Sequence, residues 1–106
     1  MSKIKNRIRI HTELFKKFGG DCAVVYGYLC DRAEYQTGKE ITASMKEFEK
    51  DLGLSFFRQM RHIRRLAGEG LIDFAVRGNP TTRRVTILPS KIFEELNENS
   101  RVPATR

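Results

Sequence analysis

The chain is poor in several residue types, and each shortage excludes a class of protein. It has no tryptophan, three prolines and only two cysteines, Cys22 and Cys30, in 106 residues. On one helix these thiols would lie about 12 Å apart along the axis, which is too far for a disulfide. A disulfide-stapled secreted scaffold is therefore excluded, and we expect both cysteines to be small core residues in a reducing compartment rather than reactive thiols.

Long apolar runs are also missing. No segment approaches the roughly 20 apolar residues that a membrane-spanning helix needs. The first stretch, MSKIKNRIRIHTELF, is basic but lacks the apolar centre of a secretory signal peptide. We therefore expect a cytoplasmic protein without a membrane partner.

Side chains for catalysis or metal binding are few and scattered. The two distant histidines, His11 and His62, and the two distant cysteines do not have the spacing of a metal site. The segment FGGD lacks the lysine and the serine or threonine of a phosphate-binding loop. The carboxylates at 47, 49 and 51 are separated by helical phase. We expect no enzyme, no cofactor and no metal, and a local turn role for His11.

Positive charge is abundant. The chain carries 20 Lys and Arg against 13 Asp and Glu, a formal net charge of +7, and its 40% apolar content is too high for a disordered basic tail. The charge is uneven, with net +5 over residues 1–17, −3 over 18–54 and +5 over 55–84. A folded basic domain of this kind favours polyanionic partners, nucleic acid first and anionic membrane second.

The second basic block contains only arginine among its positive residues, and four of these lie within FRQMRHIRR, residues 57–65. Ser55 is placed to cap a helix over 56–68. At about 100° per residue, Phe56, Met60, Ile63 and Ala67 share one arc. Arg58, Arg61 and Arg65 take the opposite arc with His62 beside them, while Phe57 and Arg64 fall on the flank.

This helix has no acidic residue between 55 and 68. An ordinary solvated helix surface carries mixed charges, because opposite charges one turn apart stabilise the helix. Four like charges repel one another until an anionic partner arrives. Arginine also offers a planar fork that fits guanine edges and phosphates. The pattern therefore favours nucleic-acid binding over a plain surface.

The remaining elements follow from caps, alternation and turn residues. Ser44 and Glu47 have the capping-box spacing, and GNPTT between two apolar alternations indicates a hairpin. The predicted order begins with a strand within 4–10, a helix capped by Thr12, a helix capped by Asp21 that runs to about Tyr35, and a tiny strand at Ile41. A helix capped by Ser44 and ended by Gly53 follows, with Met45, Phe48 and Leu52 as its buried stripe. Helix 56–68, two hairpin strands and a helix capped by Ser90 complete the order. We expect one domain over 1–98 and a flexible tail over 99–106.

This order, with the run Ser55, Met60, Ile63, Leu66 and then Gly70-Leu71-Ile72, resembles a winged helix-turn-helix domain. The stretch IHTELFKKFGGDCAVVYGYLCDRAE further resembles the N-terminal domain of bacterial plasmid replication initiators and phage replisome organisers. The matching residues are Ile10, Leu14, Phe15, Tyr26, Gly27, Leu29, Asp31 and Arg32. The resemblance covers about residues 8–88. The expected fold is α+β, a three-helix core with a two- or three-stranded wing, an extra N-terminal strand and a C-terminal helix.

We therefore expect a DNA-binding protein that recognises a duplex site with helix 56–68 in the major groove and wing 77–84 on the flanking backbone. By the resemblance, the site is a replication origin or operator, and the role is replication initiation or transcription regulation in a mobile element. The predicted DNA-binding residues are Ser44, Lys46, Ser55, Phe57, Arg58, Arg61, His62, Arg64, Arg65, Arg77, Asn79, Thr81, Thr82, Arg83 and Arg84. Arg83 and Arg84 are expected beside the wing tip, without a role in the core.

Several alternatives stay open from sequence. The same basic face and Phe57 suit a binder of single-stranded DNA, and the same fold also serves as a protein-interaction module for replication or transcription proteins. Phe57 is either an aromatic at the edge of the core or a contact to thymine methyl groups or unpaired bases. The stripe Ile92, Phe93 and Leu96 either forms a homodimer contact on a repeated site or simply closes the core.

Overall fold

The computed structural model describes residues 8–42, 44–77 and 82–101, and the side chains of these residues except 77, 82 and 99–101. The described residues form five helices and one three-stranded sheet, so the predicted α+β class is confirmed. The elements are α1 (Thr12–Phe18), α2 (Gly20–Arg32), β1 (Glu40–Thr42), α3 (Met45–Leu52), α4 (Phe56–Gly68), β2 (Ile72–Arg77), β3 (Thr82–Ile87) and α5 (Lys91–Arg101). None of these helices is both long and apolar enough to cross a bilayer.

The sheet is antiparallel, with β3 in the middle of the order β1–β3–β2. Val85 of β3 lies opposite Phe74 of β2 on one side and Ile41 of β1 on the other. Val85 and Ile87 are fully buried, because alternate residues of a strand point to the same face and this face covers the core. The predicted hairpin and the tiny strand at Ile41 are both confirmed, and loop residues 78–81 lie outside the described part.

The N-terminal strand predicted over 4–10 is wrong for its described part, since Ile8–Ile10 form no strand, and residues 4–7 lie outside the described residues. This segment packs on a helix instead. A Cβ atom added to Gly27 of α2 would overlap the carbonyl oxygen of Arg9. Glycine therefore allows this segment to lie directly against α2, with Ile8 packed against the core and Ile10 43% exposed.

The first two helices begin earlier than the sequence predicts, α1 by one residue and α2 by two. His11, not Thr12, is the N-cap of α1, and its Nδ1 accepts a hydrogen bond from the Leu14 amide at 3.4 Å. This gives His11 the local turn role that we expected. Gly19, with φ of 95°, ends α1 and also precedes α2, so Asp21 lies inside the first turn of α2 instead of capping it.

The predicted boundaries of α3 and α4 are confirmed by their caps. Ser44 Oγ accepts from the Glu47 amide at 3.3 Å, and Gly53 ends α3 in the left-handed region with φ of 71°. Ser55 Oγ accepts from the Arg58 amide at 3.4 Å and begins α4. A turn of three residues, 53–55, therefore joins the two helices.

One buried cluster joins the helices to the sheet. Both cysteines belong to it as free thiols, as predicted, and burial raises the pKa of Cys30 to about 12. Phe93 and Leu96 of α5 are 6% and 1% exposed in the same cluster, and the partly buried Ile92 packs against it, so these side chains contribute to the core. The homodimer contact stays a prediction. Helix α5 continues through 99–101, which the sequence assigned to the tail, while 102–106 lie outside the described residues.

Candidate nucleic-acid interface

The orientation of α4 differs from the one predicted by helical phase. Gln59, Ile63 and Leu66 are each at most 1% exposed, so the buried direction passes through them. Phe56, which was predicted to be buried, is 51% exposed, because the side chain of Gln59 fills the interior at that end of the helix. Met45, predicted to be buried on α3, is likewise 44% exposed beside this end of α4.

Relative to the prediction, α4 is rotated about its axis, and this rotation brings Phe57 into the outward arc. At about 100° per residue, Arg61 lies almost opposite the mean buried direction, with Arg65 on one side and Phe57 on the other, each within about 50°. Phe57 is 85% exposed, so it is not an aromatic at the edge of the core. We call the outward surface of α4 the arginine face; it consists of Phe57, Arg58, Arg61, Arg64 and Arg65.

All four arginines of the arginine face are exposed to solvent. A shallow cleft on this face is lined by Phe57, Arg58, Met60, Arg61 and Arg64. The Arg65 guanidinium lies 5.3 Å from the centre of the Phe18 ring, which tilts it toward α1. The arginine face is therefore cationic along its whole length, and the Phe57 ring lies near its N-terminal end.

His62 borders this face on the side of α2 and is half-buried. Burial lowers the pKa of the His62 ring; the Asp21 carboxylate on α2 opposes this shift, while the guanidinium groups of Arg61, Arg65 and Arg58 add to it. The neutral form of the ring is therefore favoured at pH 7. Such a group can couple proton uptake to the binding of an anion.

The side chain of Gln59 links α4 to α3 and to the sheet, and the sequence analysis did not predict this role. Its amide Nε2 donates to the carbonyl oxygens of Leu54, at 2.7 Å, and Met45, at 3.2 Å. Its Oε1 accepts from Arg83 Nη2 at 2.7 Å. The signal was present in the helical phase, because Gln59 shares its arc with Ile63 and Leu66.

Arg83 does not lie free on the hairpin surface. It is 4% exposed, and its guanidinium lies 5.0 Å from the centre of the Phe48 ring. Burial lowers the pKa of Arg83. The expectation that Arg83 plays no part in the core is therefore wrong. The physical reason is strand alternation, which puts Arg83 on the same inward face as Val85 and Ile87.

Arg84 points to the other face of β3, is about 41% exposed, and its Nη1 lies 3.8 Å from Glu40 Oε1 on β1. Of the other predicted contacts, Lys46 is exposed at the start of α3, and Ser44 and Ser55 cap the two helices. The backbones of Arg77 and Thr82 lie in the hairpin strands, and their side chains are not described. Asn79 and Thr81 lie outside the described residues.

One group of side chains has metal-ligand chemistry in the described part of the chain. Ligand atoms of His11, Glu13 and Glu95 all lie within 4.8 Å of one another. His11 Nε2 lies 2.6 Å from Glu95 Oε1, and His11 Nδ1 accepts the Leu14 amide, so Nε2 carries the ring proton and donates it. A metal on Nε2 would force that proton onto Nδ1 and break the helix cap. The arrangement therefore acts as a link between α1 and α5.

Comparison of the chain with protein-family models, with curated proteins and with solved structures finds no match.

Proposed function

We propose that the protein binds duplex DNA through a winged helix-turn-helix fold, with α4 in the major groove and the β2–β3 hairpin as the wing on the flanking backbone. The observation that supports this most strongly is the arginine face. Its four exposed arginines have no acidic neighbour within α4. A surface of this kind is unfavourable until an anion neutralises it, and a nucleic-acid backbone supplies closely spaced phosphates.

The dimensions of α4 suit a duplex. Its 13 residues span about 20 Å, and a helix about 10–12 Å wide fits a major groove about 12 Å wide. The buried side of α4 is fixed by Gln59, Ile63 and Leu66, so the arginine face is presented on a rigid support. Arg61 is central and is assigned to a base edge.

The remaining arginines of α4 are assigned to nearby phosphates. Lys46, Ser44 and Ser55 lie at the starts of α3 and α4 and are assigned to the DNA backbone, where contacts fix register rather than read sequence. On the hairpin, Arg84 is the described arginine that keeps an exposed part and contributes a backbone contact. Arg83 supports the hairpin from the interior.

The biological role in this proposal is recognition of a replication origin or operator in a mobile element, as an accessory of replication initiation or a regulator of transcription in the cytoplasm. This step depends on the resemblance to plasmid initiators and phage replisome organisers. A second candidate is a replication accessory that binds single-stranded DNA. The 85% exposure of Phe57 beside three arginines favours it, since aromatic rings in basic grooves stack on unpaired bases.

Binding to a labelled duplex and to a single strand of equal length, measured over a range of salt concentrations, tests the proposal. About five neutralised phosphates predict a slope of about −4 to −5 for log K against log salt on the duplex. Duplex DNA should bind more tightly than the single strand. A slope near zero on both would overturn nucleic-acid binding and favour a protein-interaction module.

A pair of charge-matched variants makes this test specific to the surface. Arg61→Gln with Arg64→Gln removes two positive charges from α4, and Lys16→Gln with Lys91→Gln removes two from α1 and α5, where both lysines are exposed. The first pair should lower affinity strongly and make the salt slope shallower by about two. The second pair should leave both quantities near the original values. Equal losses would mean that net charge, not the arginine face, attracts the DNA.

A further inference from the structure

Phe57 is the most exposed of the six exposed large apolar side chains among the described residues, at 85%, whereas the next are Phe15, Phe56 and Val76 at 51% each. A single exposed apolar residue is ordinary on a protein surface. The position of Phe57 is what distinguishes it. The ring lies in the outward arc of α4 and lines the same cleft as Arg58, Arg61 and Arg64.

The phenyl ring does not stabilise the described fold by burial, so its apolar surface is available to a ligand. Charge complementarity identifies the class of ligand, because the cleft is lined by three arginines and lies on a helix without acidic residues. Phe57 is also the second residue of α4. When a helix of this kind enters the major groove, residues near its N-terminus contact base edges.

The major groove of duplex DNA offers one prominent apolar group, the C5-methyl group of thymine. Base edges otherwise present hydrogen-bond donors and acceptors, to which a phenyl ring contributes nothing. Stacking of the ring on a base would need that base to be unstacked first, which costs energy in a duplex. Contact with a methyl group needs no such distortion and removes apolar surface of both partners from water.

We propose that Phe57 is a specificity-determining residue that contacts a thymine methyl group beneath the first turn of α4, so that the preferred sites contain thymine at this position. This inference rests on the proposed duplex-binding function. Arg61, one turn further along the helix, then reads the neighbouring base pair. The aromatic ring and the guanidinium together give the site a thymine preference that arginines alone do not supply.

The experiment compares two duplexes of about 20 base pairs, two helical turns: an alternating A·T sequence, and the same sequence with deoxyuridine in place of thymine, which lacks only the methyl group. Loss of one buried methyl should lower the affinity of the unaltered protein about fourfold. Phe57→Ala should bind both duplexes equally, at about the lower affinity. Phe57→Leu, which keeps an apolar group, should retain most of the discrimination.

Phe15→Ala is the matched control, since Phe15 is an exposed phenylalanine on α1, outside the arginine face. It should discriminate thymine from deoxyuridine as the unaltered protein does. Because Phe57 is exposed, Phe57→Ala should keep the melting temperature of the unaltered protein. That measurement confirms that any lost discrimination comes from the surface and not from unfolding.

The outcomes separate this inference from the function on which it depends. Failure to bind either duplex with a salt-dependent affinity overturns duplex binding itself. Salt-dependent binding that is equal for thymine and deoxyuridine overturns only the role of Phe57, as does discrimination that survives Phe57→Ala. Tighter binding to a single strand that is lost in Phe57→Ala overturns methyl readout in favour of base stacking. An oligomer that dissociates in Phe57→Ala assigns the ring to a second copy instead.

Discussion

Arg83 Nη2 donates a hydrogen bond to Gln59 Oε1 at 2.7 Å, and this bond joins the middle strand of the sheet to α4 inside the protein. The same glutamine holds the carbonyl oxygens of Leu54 in the turn and Met45 on α3. One buried side chain thus connects four parts of the chain. The orientation of the arginine face relative to the hairpin is therefore set by internal hydrogen bonds as well as by apolar packing.

Substitution of the two neighbouring hairpin arginines should have unequal effects on stability. Arg83→Ala removes the guanidinium from the Phe48 ring and leaves Gln59 Oε1 without this donor, which we expect to cost about 1–3 kcal/mol. Arg84→Ala removes a half-exposed pair with Glu40 and should cost less than about 1 kcal/mol. Urea unfolding followed by circular dichroism measures both. Equal effects would mean that Arg83 is not held in the interior.

The same two variants should also differ in DNA binding. Arg84→Ala should make the salt slope shallower by about one, as expected when a single phosphate contact is lost. Arg83→Ala should lower affinity through a changed hairpin position while leaving the slope unchanged. Titrations of one duplex at several salt concentrations distinguish the two patterns.

The contrast between these arginines shows what the sequence could and could not predict. Alternation along TRRVTI placed Val85 and Ile87 inward, and the same alternation places Arg83 with them. The expectation failed because arginine was assumed to be exposed from its residue type. A buried guanidinium needs a specific acceptor such as Gln59, which lies 24 positions earlier in the chain and on another element.

The starts of α3, α4 and α5 were predicted correctly, because a hydrogen bond between residues close in sequence decides them. Ser44, Ser55 and Ser90 all act as caps, because a serine hydroxyl bonds an amide only three residues away. The rotation of α4 was predicted less well, since Phe56 and Phe57 are adjacent and equally apolar. The buried hydrogen bonds of Gln59 to Leu54 and Met45 fix an orientation of α4 in which Phe56 is 51% and Phe57 85% exposed, and these contacts are tertiary.

Gly27→Ala should destabilise the protein, because the added Cβ would overlap the carbonyl oxygen of Arg9 and press on Ile8. Overpacking of this kind costs about 1–3 kcal/mol. Gly68→Ala is the control, since a Cβ there meets nothing within 4 Å, and it should leave stability unchanged or raise it by about 0.5–1 kcal/mol. Thermal unfolding of the two variants provides the comparison. A stable Gly27→Ala protein would show that the N-terminal segment does not need to lie on α2.

Arg61 and Arg65 should contribute differently to site recognition. Arg61 is central on the arginine face, whereas Arg65 leans toward the Phe18 ring at 5.3 Å. Arg61→Ala should therefore remove about 1–3 kcal/mol of discrimination between a preferred site and the same site with one base pair changed. Arg65→Ala should weaken the preferred, altered and random duplexes alike. Uniform losses for Arg61→Ala would assign α4 to electrostatic binding without base readout.

His62 should link DNA binding to pH. Its pKa lies below the ordinary value of 6.5 because the ring is half-buried, an effect that the neighbouring arginines strengthen and Asp21 opposes. The unfolded chain therefore takes up this proton more readily than the folded one, and stability falls as pH drops below about 6.5. Phosphates beside the ring would favour its charged form. DNA binding should then take up a proton, and affinity should rise over the same pH range.

The opposite signs of these two effects make the prediction testable. His62→Gln should remove both the loss of stability and the gain in affinity that His62 causes below about pH 6.5. The two proteins differ only at residue 62, so a difference between their pH profiles is due to His62. Duplex titrations between pH 5.5 and 7.5 give the pH dependence of affinity, and urea unfolding over the same range gives the pH dependence of stability. If His62→Gln loses the pH dependence of stability but keeps that of binding, His62 titrates but does not face the DNA. In that case the interface would lie toward Phe57 and Arg64, on the side of α4 away from α2.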